Sequence, residues 1–174
     1  YFLPYLNIPA KIDRTERTVF RCEAAISKKE FEKWKGVFKS DRNVASGLFN
    51  RQDVHAAIRD VSLVVLRIQS SDDLLSWQLG FAKRWGFTTI AFRRFKELNS
   101  SYLSKLLKES RKTYGFNIDG LVIFREDEGF APSKDKPDYA VAWKENDEGQ
   151  VTTIKSIVWE ASKHGVLIPV AHIA

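Results

Sequence analysis

Three short stretches set a charged side chain beside residues too small to cover it. In Tyr139-Ala-Val-Ala-Trp-Lys144, strand alternation puts Tyr139, Val141 and Trp143 on one face and Ala140, Ala142 and Lys144 on the other. The bulky face reads as core. The second leaves room under the Lys144 ammonium for a planar or phosphorylated ligand; a solvated lysine on an edge strand is the plainer alternative. In Ile118-Asp-Gly-Leu-Val-Ile-Phe-Arg125 an acid, Asp119, precedes Gly120, where a backbone can come close to a ligand. An Asp-Gly turn opening a buried strand fits the same residues. Arg21 and Glu23 share a face of a third stretch. They suit a phosphate and a ribose hydroxyl, or a surface ion pair worth less than about 1 kcal/mol.

These side chains need a frame. From Thr18 to Ile26 the residues alternate, with Phe20, Cys22, Ala24 and Ile26 on an apolar back and Val19, Arg21, Glu23 and Ala25 on a charged front, as in a strand. Ser27-Lys-Lys-Glu30 is a capping box, followed by a helical stripe of Phe31, Trp34 and Phe38. Asp41 to Asp53 reads as a loop or helix entry. Leu63 to Ile68 is a second strand. Ser71 is expected to cap a helix in which Leu74, Trp77, Phe81 and Trp85 recur on one face and which stops at Gly86. Phe87 to Phe92 is a strand, and Asn99 to Tyr114 a helix with Leu103, Leu106 and Leu107 inward. The strand at Ile118 to Arg125 leads into a loop from Glu126 to Asp138. Tyr139 to Lys144 is another strand, Asn146 to Gly149 a turn, and Val151 to Trp159 and Val166 to Val170 close a strand-rich end. Strands outnumber helices without strict alternation, so the expected class is α+β with antiparallel sheets.

Composition narrows the function classes. The 174 residues, 44% hydrophobic and 29% charged, suffice for one globular domain or most of one. No apolar run approaches the ~18 residues of a membrane span, and no secretory signal is visible. A single cysteine, Cys22, cannot form an internal disulfide, so a cytoplasmic setting without a membrane is expected. His55, His164 and His172 are too scattered for metal-ligand spacing, and no protein-held metal site is expected. The net charge of +6 and pI near 9.4 favour a polyanionic partner, because neutralised phosphates release counterions; simple solubility is the alternative. A chain that starts at Tyr1 and contains no methionine reads as a piece of a longer protein.

Taken in order, the stretches resemble the adenylation (nucleotidyltransferase) domain of NAD-dependent DNA ligases. Arg21-Cys-Glu-Ala-Ala-Ile-Ser27 is similar to that family's Arg-Gly-Glu-Val strand. Arg42-Asn-Val-Ala-Ser-Gly47 with Arg51-Gln52 resembles its Arg-Asn-x-x-Ala-Gly…Arg-Gln segment. Asn117-Ile-Asp-Gly-Leu-Val-Ile123 resembles its Ile-Asp-Gly-Val-Val motif, and Pro137-Asp-Tyr-Ala-Val-Ala-Trp-Lys144 its Trp-Ala-Ile-Ala-Tyr-Lys strand. Gly165-Val-Leu-Ile-Pro-Val-Ala171 resembles the Gly-Val-Leu-Thr-Pro-Val-Ala that leads into an OB-fold. The likeness runs from about residue 7 to 174, and five motifs in order are far more specific than one.

The resemblance implies a nucleotidyltransferase (ATP-grasp-like) fold with flanking helices, spanning 1–174 and ending where an OB-fold starts. It implies a lysine adenylylated from NAD with Mg2+, AMP passed to a 5′-phosphate, and a nick in duplex DNA sealed, as in replication and repair. Such transition states are crowded with phosphate charge, so cations and positioning should carry catalysis. By the same likeness Glu23 would hold the ribose, Lys144 would neutralise the AMP phosphate, and Asp119 would orient the nucleophile or magnesium. Val122 would pack on adenine or ribose, and Arg42 and Arg51 would hold nick phosphates.

The pattern is broken in places. No Lys-x-Asp-Gly occurs in the 174 residues, so the nucleophilic lysine is expected upstream or on a separate subunit. The family's lysine after the Asp-Gly-Val-Val-Ile strand is Phe124 here; Arg125 would need a bulge or a snorkelling side chain to replace it. The family's adenine-stacking aromatic falls at Leu66, and Cys22 replaces a glycine. A catalytically inactive DNA-binding module or accessory subunit is the alternative. An ATP-dependent ligase is a third reading, which Arg42-Asn43 and Gly165 to Ala171 fit less well. The compact, divergent pattern points to a phage or viral source.

Overall fold

The computed structural model describes residues 2–126, 139–145, 149, 151–162 and 164–174. The chain divides into two compact units, Tyr1–Lys144 and Glu145–Ala174. The expected loop at 126–138 (Glu126 apart) and the turn at 146–149 (Gly149 apart) lie outside the described residues.

In the first unit, strand β1 (Phe20–Ile26) pairs antiparallel with β2 (Val61–Ile68). The predicted alternation of β1 holds: Arg21 and Glu23 are exposed, whereas Ile26 is buried and Phe20, Cys22 and Ala24 are half-buried. In β2 the alternation breaks. Arg21 faces Arg67 and Cys22 faces Val65, so Leu66 is the extra residue of a β-bulge, which shifts the faces on either side of it. Val64 and Val65 are both buried.

Ser27 accepts a hydrogen bond from the Glu30 N–H at 3.1 Å, the N-cap half of the expected capping box. The helix it starts, α1 (Lys28–Phe31), lasts one turn. A 3-10 turn over Glu32–Trp34 and Gly36 at φ +94° end it, so the three aromatics do not form a continuous helical stripe. Phe31, Trp34 and Phe38 still pack on one core with Leu6, Ile26, Val44, Leu48, Ile58 and Val61. The stretch expected as a loop or helix entry is helix α2 (Asp41–Phe49), capped by Ser40.

Helix α3 (Leu75–Arg84) corrects one expectation. Ser71 does not cap it; its hydroxyl binds within the preceding turn, to Asp73. The buried face is Ser76, Gln78, Leu79 and Ala82, while Trp77 is 60% exposed. The small residues let the helix lie close to Val65 on the sheet, which a row of indoles and phenyls would prevent. Its end is as expected: Gly86 at φ +89° closes a Schellman turn, with the Phe87 N–H on the Ala82 carbonyl. The strand expected at Phe87 to Phe92 reduces to one parallel bridge, Val65 with Thr89.

Helix α4 (Ser100–Thr113) is capped by Asn99, and Leu103 and Leu107 are buried. Lys28 holds its C-terminal end. The Lys28 ammonium donates to the carbonyls of Arg111 at 2.6 Å and Tyr114 at 2.9 Å, and its N–H to Gly115 at 2.8 Å. A cation there complements the helix dipole and the unpaired carbonyls. The chain then enters β3 (Leu121–Phe124), which pairs antiparallel with β4 (Ala140–Trp143). In the second unit, β5 (Ile154–Ala161) and β6 (Leu167–Ile173) form an antiparallel hairpin.

Candidate functional site

The ladder between β3 and β4 fixes which side chains share a face. Leu121 lies opposite Trp143, Val122 opposite Ala142, Ile123 opposite Val141 and Phe124 opposite Ala140. Directly opposed residues point the same way. Val122, Ala142, Phe124 and Ala140 therefore share a face with Lys144, two residues beyond Ala142. The other face holds Val141, which is 62% exposed, so the expected core there is only partial.

Gly120 makes this corner possible. A Cβ on it would stand 2.4 Å from the Trp143 carbonyl oxygen and 2.8 Å from Lys144 Cγ, so no side chain fits where the strands meet. The result is a shelf of Val122, 62% exposed, beside Ala142 and leading to the ammonium.

Three of the expected site residues converge. The Lys144 ammonium lies 3.9 Å from one Asp119 carboxylate oxygen, and the Arg42 guanidinium binds the other. Arg42 arrives from α2, whose first residue, Asp41, accepts a bond of 2.9 Å from the Asn117 amide. Arg111, near the end of α4, donates to the Asp119 carbonyl at 3.1 Å. Arg111, Asn117 and Asp41 were not picked out from the sequence; a helix-end arginine eight residues before an acid has no periodicity to mark it.

Among the described residues, the others make no hydrogen bond or ion pair to this cluster. Glu23 is exposed on β1 and, among the described residues, has no hydrogen-bond or ion-pair partner. Arg51 makes a two-pronged bond to Asp53, at 3.1 Å on each side, which raises the arginine pKa and lowers the aspartate's. Because β3 is regular through Phe124 and the Arg125 N–H bonds to the Tyr139 carbonyl, no bulge turns Arg125 onto the Val122 face. Phe124 occupies it, 40% exposed. Leu66 lies in the β2 bulge.

Energetics decide what such a cluster is for. Asp119, Lys144 and Arg42 side chains are 53%, 63% and 71% exposed, and ion pairs this open contribute about 0–1 kcal/mol. The fold gains little from them. A carboxylate between two cations, above an apolar shelf, instead offers positive charge that an incoming phosphate can take over. The site is an open strand face. Hollows of about 390 Å3 beside Tyr5, His55 and Arg59 and about 350 Å3 between Trp77, Phe81 and Arg84 involve other residues.

No family model matches the chain. A DNA ligase of Acanthamoeba polyphaga mimivirus is 31% identical over 154 residues, covering 86% of this chain and 24% of that protein. A DNA ligase of Pelagibacter ubique is 28% identical over 192 residues, covering 96% and 25%. One of Lachnoclostridium phytofermentans is 26% identical over 184 residues, covering 96% and 28%. The chain thus spans about a quarter of the length of the curated relatives it matches. No helix among the described residues is long and apolar enough to cross a membrane. Bacterial and viral ligases alike align with nearly the whole chain, which makes it a DNA ligase-related segment.

Proposed function

We propose that the chain is most of the adenylation domain of an NAD-dependent DNA ligase, with a nucleotidyltransferase fold, working on nicked duplex DNA. The observation that carries this reading is the meeting of Asp119, Lys144 and Arg42 at the glycine-pinched end of β3 and β4, in a chain whose relatives are named DNA ligases. The residues suit an adenylate. Val122 and Ala142 give a flat apolar floor, Lys144 a cation for the phosphate, and Glu23, unpaired among the described residues, a carboxylate for ribose hydroxyls. Bound NAD supplies the adenylyl group. Lys144 neutralises charge building on its phosphate, and Arg42, once exchanged from Asp119, holds the 5′-phosphate of the nick. Asp119 would supply an oxygen to magnesium arriving with the nucleotide phosphates.

The nucleophilic lysine lies, on this proposal, in a segment beyond these 174 residues. Fusing or mixing the chain with a segment that carries Lys-x-Asp-Gly, then adding labelled NAD or ATP with magnesium, tests it. Label on the added lysine from NAD, and little from ATP, is the expected result. Label from ATP alone would overturn the NAD assignment.

A second reading has a specific observation behind it: Phe124 stands on the Val122 face where the family has a lysine. An inactive nick-binding module would bind nicked duplex and take no label from either nucleotide.

A further inference from the structure

We infer that Arg21 and Arg67 form a phosphate-binding seat on the β1–β2 sheet, separate from the Asp119–Lys144 cluster. The two arginines are direct cross-strand partners, so their side chains leave the same face within a few ångströms of each other. Like charges so placed repel, and proteins ordinarily interleave an acid. None is present: among the described residues neither arginine has a hydrogen-bond or ion-pair partner. Glu23, two residues along the same strand, pairs with Val64 in the ladder and makes no hydrogen bond or ion pair to either guanidinium.

The Arg67 Nε makes the case sharper. It is buried and has no partner, and a buried N–H donor left unmade is a standing cost. Arg67 follows Leu66, the bulged residue, and bulges re-aim the side chains beside them. The arrangement is therefore a pair of guanidinium forks, one partly withdrawn from water, with no anion supplied by the described residues. Guanidiniums match phosphate oxygens two at a time, so phosphate is the ligand class. A nucleotide phosphate and a DNA phosphate present the same chemistry. Which of them arrives rests on the proposed ligase reading; the seat itself does not.

The 174-residue chain, with inorganic phosphate as the probe, tests this by thermal unfolding in phosphate and in chloride at equal ionic strength. Wild type should gain roughly 3–7 °C at about twenty times the dissociation constant. Arg67→Met should melt about 1–4 °C higher than wild type in chloride, because the repulsion and the orphan donor are gone, and should lose the phosphate gain. Arg21→Met should lose the gain as well, and Lys108→Met, on the exposed side of α4, should keep it. No gain in wild type, or an equal gain in Arg67→Met, overturns the inference. AMP and a 5′-phosphorylated nicked duplex then serve as two further arms. The one whose binding weakens in Arg67→Met identifies the source. If neither binds wild type while the inorganic phosphate result holds, the ligase reading fails and the seat stands.

Discussion

Gly120→Ala separates close strand approach from every other reason for a glycine. The left-handed glycines of the described chain are Gly36, Gly86 and Gly165, so Gly120 has a backbone conformation that alanine accepts. What alanine meets is the partner strand. Its Cβ would stand 2.4 Å from the Trp143 carbonyl oxygen and 2.8 Å from Lys144 Cγ, the first about 1 Å short of ordinary contact. The obstructing atom is backbone, so β3 and β4 must part at this end of a ladder only four pairs long. Overpacking of this kind costs about 1–3 kcal/mol, or roughly 2–12 °C in melting temperature for a chain of this size. Gly47→Ala is the control. Its Cβ meets only the Phe38 ring, Cε1 at 3.6 Å and Cδ1 at 3.9 Å, inside helix α2, and the variant should gain about 0.5–1 kcal/mol from reduced backbone entropy. Because Lys144 is one of the two groups displaced, Gly120→Ala should also lower AMP transfer, assayed with the supplied lysine segment below its melting range. A Gly120→Ala protein that melts with wild type and transfers AMP at the wild-type rate refutes the pinched corner as a device for placing Lys144.

Lys144→Ala should cut AMP transfer by about 10²-fold or more while unfolding in urea within about 0.5 kcal/mol of wild type, since its ion pair is open to water; equal transfer would remove it from the site. Phe124→Lys restores a cation to the Val122 face and should raise transfer, measured by the same labelling; a fall would mean that the ring is part of the floor. The Asp60 carboxylate is disfavoured by burial, but hydrogen bonds from Trp34 and Lys33 outweigh this and hold its pKa below the usual range. Its contribution to stability is therefore present above the unfolded value of about 4 and lost as pH falls through the lower folded value. Asp60→Asn should flatten the loss of urea stability between about pH 5 and pH 2, and an unchanged slope would count against the Trp34–Asp60 bond.

Much of the frame is legible in the sequence where one force acts alone. Alternation in β1 reports a half-buried strand, and Ser27, Asn99 and Gly86 mark helix ends because their local geometry needs no distant partner. The reading fails where packing overrules pattern. The aromatic stripe of α3 has helical spacing, yet the sheet accepts the smaller face of Ser76, Leu79 and Ala82, and Trp77 stays outside. The Leu66 bulge is invisible because apolar residues run from Leu63 to Leu66 without a period to break. At the site, Asp119 and Lys144 are recognisable by motif, and their meeting follows from the antiparallel register. That Arg42 rests on Asp119, and that Arg111 reaches the Asp119 carbonyl, depends on where α2 begins and α4 ends, which motif spacing does not encode.

The charges that the fold leaves unresolved form a pattern of their own. Asp60 with Lys33 and Trp34, and Arg51 with Asp53, are settled locally. Among the described residues Arg21 and Arg67 have no partner and oppose one another, whereas Lys144 and Arg42 divide a single carboxylate. Neither arrangement adds appreciably to stability, and the first detracts from it. Both would be relieved by one kind of ligand, an anion with several oxygens, and a nucleotide acting on a nick brings more than one such group. A domain that only needed to fold and stay soluble would satisfy these cations with acids, as it does at Asp60 and Asp53. Their unpaired or shared state among the described residues is the physical ground for the phosphate handling proposed for this chain.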